Sequence, residues 1–322
     1  MKKKFLVLLA ALMIFSVFFT ACLDGDDIDD TDDDAIEDNG GGSDTSVPTV
    51  NGTEPDMNAD GVKFTNYGTY YAVTGYAAPA NATNVALTIP ATYKDLPVLV
   101  IGSRAFTPSA IETNKVITSI TLPEGLVTIQ ASAFADCVNL TSINIPSTVT
   151  SIGRGAFARC RKLPAITIPA GCATLGVSVF ESCTLLESIV VAPENPNYTS
   201  INGDLYNKDG TVLLRYAIGK GGGGFTPAPT VTTLGEGCLQ GATFIEVVIP
   251  ETLRRIEPTV FKDCKNLTSV KVTVPSGWYH TNYADDIGGS GINQNTVMKK
   301  ADVLAKNLTD ERTYLHKYLN RI

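Results

Sequence analysis

Along the middle of the chain, apolar and polar positions recur with a fixed period. Three stretches superpose without gaps: ITSITLPEGLVTIQASAFADC ending at Cys137, LTSINIPSTVTSIGRGAFARC ending at Cys160, and LPAITIPAGCATLGVSVFESC ending at Cys183. Pro123, Pro146 and Pro169 mark the same place in each, as do Phe134, Phe157 and Phe180, so the period is 23 residues. Phe244, Val247, Ile249, Pro250, Leu253, Ile256, Phe261 and Cys264 form a further copy. Degenerate copies lie at Val98, Ile101 and Phe106, and at Val231, Leu234 and Leu239. Self-similarity at such a period is the mark of a stacked repeat, here of about six coils. Within a coil, Leu140, Ile143 and Ile145 alternate as one short strand does, and proline then ends the ladder. Val149, Ile152, Ala156, Phe157, Cys160 and Leu163 follow at wider intervals, which suits a return path of turns and short helical segments. No single coil has a core of its own, so only the stack is stable.

These residues resemble the BspA-type leucine-rich repeats of bacterial surface proteins, whose pattern is reproduced at Ile145, Pro146, Val149, Ile152, Gly153, Ala156, Phe157, Cys160 and Leu163. The resemblance runs from about Leu87 to Pro275 and implies an α+β leucine-rich-repeat solenoid with one strand-lined face. It also implies binding of host matrix proteins or other bacterial cells, with no catalysis. Asn197 to Tyr206 resembles the hairpin insertions found between such repeats, and Asn202-Gly203 and Asp209-Gly210 are turn signals on their own.

The expected organisation has five parts. Residues 1–21 are an export signal: Lys2, Lys3 and Lys4 precede an uncharged run from Phe5 to Ala21. Phe19-Thr20-Ala21-Cys22 resembles a bacterial lipobox, with Cys22 as the lipid attachment site and an aromatic residue where the family usually has an aliphatic one. Residues 22–60 form a tether, since Asp24 to Asp60 holds 14 acidic residues and no Lys or Arg, too little apolar surface to fold. Its acids lack the glycine and glutamate spacing of a calcium-binding loop. Residues 61–96 are a β-rich N-terminal cap containing Tyr67, Tyr70, Tyr71 and Tyr76, and 97–275 are the solenoid, with the hairpin insertion at about 193–228. Residues 276–322 are a C-terminal cap of short helices, read from Val297, Ala301, Leu304, Ala305 and Leu308 and from Leu315, Tyr318, Leu319 and Ile322.

Charge narrows the function classes. The net charge of -8 comes from the tether; from Gly61 onward 22 Lys and Arg face 19 Asp and Glu, a balance of +3. No strong basic field suited to nucleic acid remains. The chain has only two histidines, His280 and His316, both outside the repeats, which leaves no metal site, cofactor site or hydrolytic centre to propose. Cys137, Cys160, Cys183 and Cys264 share one repeat position, and Cys172 and Cys238 take other apolar ones, the spacing of small buried residues more than of disulfides or metal ligands. Gly219-Lys220-Gly221-Gly222-Gly223-Gly224 lacks the order of a phosphate loop. Arg154, Arg159, Arg161 and Lys162 read as a solvated rim.

The sequence thus points to a non-catalytic lipoprotein on the bacterial surface, anchored to the outer membrane by its N-terminal lipid. Its candidate partner-binding face is the outward strand positions Ser119, Thr121, Ser142, Asn144, Thr167 and Ser188, with Ala165 and Val190 beside them. The alternatives are carbohydrate capture by Trp278, Tyr279 and Tyr283, or a periplasmic interaction scaffold.

Overall fold

The computed structural model describes residues 55–107, 116–273, 278–281 and 318–321. A single coil shows how the stack is made. Ser142–Ile143 pairs in parallel with Ile117–Thr121, and Pro146 follows where the ladder must end. The chain turns inward at Val149, then forms a second strand, Ser151–Ile152, paired in parallel with Thr128–Ile129 on one side and Thr174–Leu175 on the other. Tight turns through the buried Phe157 and Cys160 lead into the next coil. Each such coil therefore feeds two parallel sheets.

This corrects the expected architecture. The described residues form a β-solenoid of about eight turns with no α-helix. Their helical positions are 3-10 alone, at Val116 and in the turn Ile218–Lys220. The return path expected to hold helical segments holds the second strand and a run of turns. Backbone geometry explains the difference. Each turn places two residues at positive φ, as at Ser132 and Asp136 (54° and 62°), Gly155 and Arg159 (58° and 59°), and Ser178 and Ser182 (55° and 53°). A right-handed helix cannot contain such residues. The turn amides instead bond to the next coil: Phe134 N–H donates to Ala156 O at 2.8 Å, Asp136 N–H to Ala158 O at 2.9 Å, and Phe157 N–H to Val179 O at 3.0 Å. A helix would consume those donors internally and leave the coils unjoined.

Columns of side chains fill the interior. The rings of Phe106, Phe134, Phe157 and Phe180 stack at 5.2, 5.2 and 5.8 Å between centres, a column to which a fully buried ring contributes both area and offset stacking. Beside it, the Cys137, Cys160 and Cys183 thiols each donate to a phenylalanine carbonyl of the preceding coil, Phe106, Phe134 and Phe157, at 3.4, 3.2 and 3.1 Å. All six described cysteines are buried thiols.

A hairpin interrupts the stack. Tyr198–Ile201 and Asp204–Asn207 pair antiparallel across Asn202-Gly203, both at positive φ, and Val212–Arg215 pairs antiparallel with Asp204–Asn207 before resuming the parallel ladder with Thr233–Leu234. The Tyr198 hydroxyl accepts the Leu175 N–H at 3.0 Å and so closes the first sheet. Successive side chains of a strand point opposite ways, and Leu205 joins the core before the hairpin while Tyr206 joins the core after it. Arg215 is buried at this seam and donates to the carbonyls of Gly237 at 2.8 Å and Gln240 at 3.2 Å. In regular coils a turn amide reaches the equivalent of Gln240 O, as Asp136 N–H reaches Ala158 O; here the guanidinium replaces it.

At the N-terminal end, Asp56–Met57, Val62–Asn66 and Tyr71–Tyr76 form an antiparallel set that joins the solenoid in parallel at Leu96–Ile101. At the other end a second correction is needed. Tyr318–Arg321, expected within a helix, is a strand pairing antiparallel with Arg255–Ile256 and with Trp278–Thr281. The last coil presents unpaired backbone groups along its edge, and an extended segment satisfies them where a helix could not. The rest of the expected helical cap, Val297 to Leu308 included, lies outside the described residues.

Candidate interaction surface

The strand face is built from two parallel pieces. One joins Val85–Thr88, Ile117–Thr121 and Ser142–Ile143; the other joins Ala165–Ile168 and Ser188–Val191. Ile120, Ile166 and Ile189 are buried and Ile143 packs against the same core from a partly buried position. Their neighbours point away from it: Thr121, Ser142, Asn144, Ala165, Thr167 and Val190 are exposed, and Ser119 and Ser188 are half-buried. Val190, 45% exposed, makes the far end of the face apolar.

Two of the candidate residues are occupied. Asn144 sits where the face breaks, and its side chain takes over the pairing: Leu122 N–H donates to Oδ1 at 2.9 Å and Nδ2 donates to Leu122 O at 3.1 Å. Ser188 lies under the hairpin turn. A β-carbon on Gly203 would come within 3.3 Å of the Ser188 hydroxyl, and Ile189 N–H donates to Gly203 O at 2.8 Å. The open part of the face is therefore Thr121, Ser142, Ala165, Thr167 and Val190, with small side chains and no charge.

Other sequence candidates scatter. Arg159 forms a two-pronged pair with Asp136, both contacts at 2.6 Å, whereas Arg154, Arg161 and Lys162 are exposed. Lys220, in the glycine-rich loop, is bound: Nζ donates to Asp204 Oδ1 at 2.6 Å and to Asn202 O at 3.1 Å, over the Tyr216 ring. Trp278, Tyr279 and His280 fall in the strand Trp278–Thr281, while Cys22, Tyr283 and His316 lie outside the described residues. Among the described residues no cluster of three or more His, Cys, Asp or Glu is arranged to hold a metal ion, and no helix is long and apolar enough to cross a membrane. Burial raises the thiol pKa of Cys172 and Cys183 to about 12, which makes these cysteines unreactive packing groups.

Sequence reasoning missed a small cavity beside Tyr67 and Tyr70 in the N-terminal cap. A signal for it existed, because Gln130 stands where the next two coils have Gly153 and Gly176.

The model of the BspA-type leucine-rich-repeat region matches the chain in 6 copies, over residues 98–212 and 225–281. Among solved structures, the pneumococcal vaccine antigen PcpA is 21% identical over 67% of this chain and 69% of its own, with a TM-score of 0.44. A leucine-rich-repeat protein from Bacteroides ovatus is 22% identical over 67% of this chain and 76% of its own, with a TM-score of 0.36. One from Bacteroides capillosus is 29% identical over 42% of this chain and 97% of its own, with a TM-score of 0.37. No curated protein matches the sequence.

Proposed function

The chain belongs to the BspA-type leucine-rich-repeat family, and from that premise we propose that it is a non-catalytic surface lipoprotein that binds a protein partner through its strand face. The observation that carries this reading is the open set Thr121, Ser142, Ala165, Thr167 and Val190: small uncharged side chains on neighbouring strands, which let a partner approach the backbone over a broad, shallow area. Such a surface suits contact with a folded protein better than capture of a small molecule, which needs a concave site. The lipid anchor at Cys22 and the acidic tether would hold the solenoid away from the membrane. The partner class is a host matrix protein or another bacterial surface protein.

Adhesion of intact cells tests the face. Ser142→Glu with Thr167→Glu abolishes binding and leaves the melting temperature nearly unchanged, while Asn144→Ala lowers it because Leu122 loses both side-chain partners. Normal adhesion by the double variant would show that the face is inert. Cys22→Ser releases the protein from the membrane fraction, and unchanged detergent partitioning would end the anchor reading. Protection of the solenoid from protease on intact cells moves the same binding role to the periplasm.

A further inference from the structure

Where the first sheet begins, several positions depart from the repeat together. Later coils carry Thr150 and Ser151, then Ala173 and Thr174, where the first coils carry Leu99 and Val100, then Val127. With Ala72 these apolar residues form a buried cluster apart from the main core, and Tyr67 and Tyr70 pack against it. The two tyrosines come from the turn between Val62–Asn66 and Tyr71–Tyr76, folded by Gly68 at φ 83° and by the Tyr67 N–H bond to Tyr70 O at 2.9 Å. Their rings lie stacked, 5.2 Å between centres and 9° between planes, and remain half-buried.

Beside the rings lies a cavity of about 140 Å³, lined by Tyr67, Tyr70, Thr74, Gly102, Ser103 and Gln130 over a floor of Ala72 and Val100. Gly102 helps keep it open: a β-carbon there would meet Val73 O at 2.9 Å and approach Thr74 and Gln130 at 3.6 and 3.7 Å. Gln130 makes it polar. Its Oε1 accepts the Ser103 N–H at 2.9 Å, which orients the amide and leaves the Nε2 donors for a ligand, and Ser103 itself lines the cavity. None of the lining residues carries a charge at neutral pH.

The geometry points to this cavity as a binding site for one neutral sugar ring of a glycan. A hexose presents an apolar C–H face to an aromatic ring and a rim of hydroxyls to amide and hydroxyl partners, the inventory found here. An ionic ligand would enter without a compensating charge. The volume is below the about 300 Å³ at which drug-sized pockets begin, so one ring enters and the rest of the glycan stays in solvent. The site is separate from the strand face, and its fate does not depend on the protein-binding reading.

Saturation-transfer NMR on the full chain, with glucose, galactose, N-acetylglucosamine and chitotriose as probes, tests the assignment. At least one probe receives saturation at its ring C–H protons, and Tyr67→Ala weakens that binding by about tenfold, as loss of the stacking ring predicts. Ser103→Ala, which leaves the backbone bond to Gln130 in place, weakens it while preserving the melting temperature. Silence from all four probes overturns the proposal. So does binding that survives both variants unchanged, or binding that is lost on Trp278→Ala alone.

Discussion

Before the hairpin, strands pair at a constant offset, Thr128 with Ser151 and Ser151 with Thr174, and four phenylalanine rings stack in one column. After it the spacing contracts: Val212 pairs with Thr233 and Thr233 with Arg255. The phenylalanine position there holds Leu239, then a half-buried Phe261, and the aromatic contacts move to Tyr216, Phe225 and Phe244, two of them edge-on. The first part is stabilised by repetition, each coil offering the next the same donors and rings. The second starts from a coil broken by an insertion, and individual side chains replace what repetition no longer supplies. Arg215 is the clearest case, a buried cation doing the work of a missing turn amide.

The largest effect should come from breaking the repetition. Phe157→Ala removes a fully buried ring with stacked neighbours on both sides and should cost about 3 to 5 kcal/mol, read by denaturant unfolding. Phe261→Ala, at the same repeat position but half-buried, should cost clearly less. Equal losses would mean that the two parts share one mode of packing. Next comes the seam. Arg215→Ala takes the donor from the Gln240 carbonyl, leaves the Gly237 carbonyl with only the Gln240 N–H, and should cost about 1 to 3 kcal/mol. An Arg215→Ala protein with wild-type stability would show that the seam tolerates the loss of a donor at Gln240 O and that the guanidinium is no surrogate.

Much of this was legible in the sequence, for a physical reason. Columns such as Phe134, Phe157 and Phe180 repeat because every coil faces the same environment, so spacing alone reveals burial, and alternation about Ile120, Ile166 and Ile189 placed the outward residues on the correct side. The second strand of each coil escaped notice because a pair such as Ser151–Ile152 is too short to show alternation. Turns were expected on the return path, but helical segments were expected beside them, because left-handed backbone at Arg159 or Ser178 carries none of the usual glycine signal that would have excluded a helix. Tyr318–Arg321 was misread because apolar spacing near a chain end fits a helix as well as an edge strand, and only the open edge of Arg255–Ile256 decides between them. Within the candidate face, the side-chain bonds of Asn144 and the cover over Ser188 arise from residues distant in sequence, Leu122 and Gly203, which no local pattern foretells.

The smallest effect concerns charge at the seam. Asp204 has a side chain only 5% exposed, and its Oδ1 accepts from Lys220 Nζ at 2.6 Å and from Ala217 N–H at 2.8 Å. Both contacts favour the carboxylate, but burial outweighs them and the pKa lies above its ordinary value. The sign of the linkage follows. An acid whose pKa is higher folded than unfolded binds its proton more tightly when folded, so the ionised form at neutral pH costs stability. Acidification through the folded pKa removes that cost, and the gain is complete below the unfolded value. Wild-type protein should therefore gain stability relative to Asp204→Asn as pH falls from neutral into the acid range, measured as the difference between their urea midpoints at each pH. A wild type that instead loses ground to Asp204→Asn on acidification would mean that attraction to Lys220 exceeds the burial cost. The hairpin would then be held by an ion pair, and the seam would differ from the regular coils in the sign of its electrostatics as well as in its spacing.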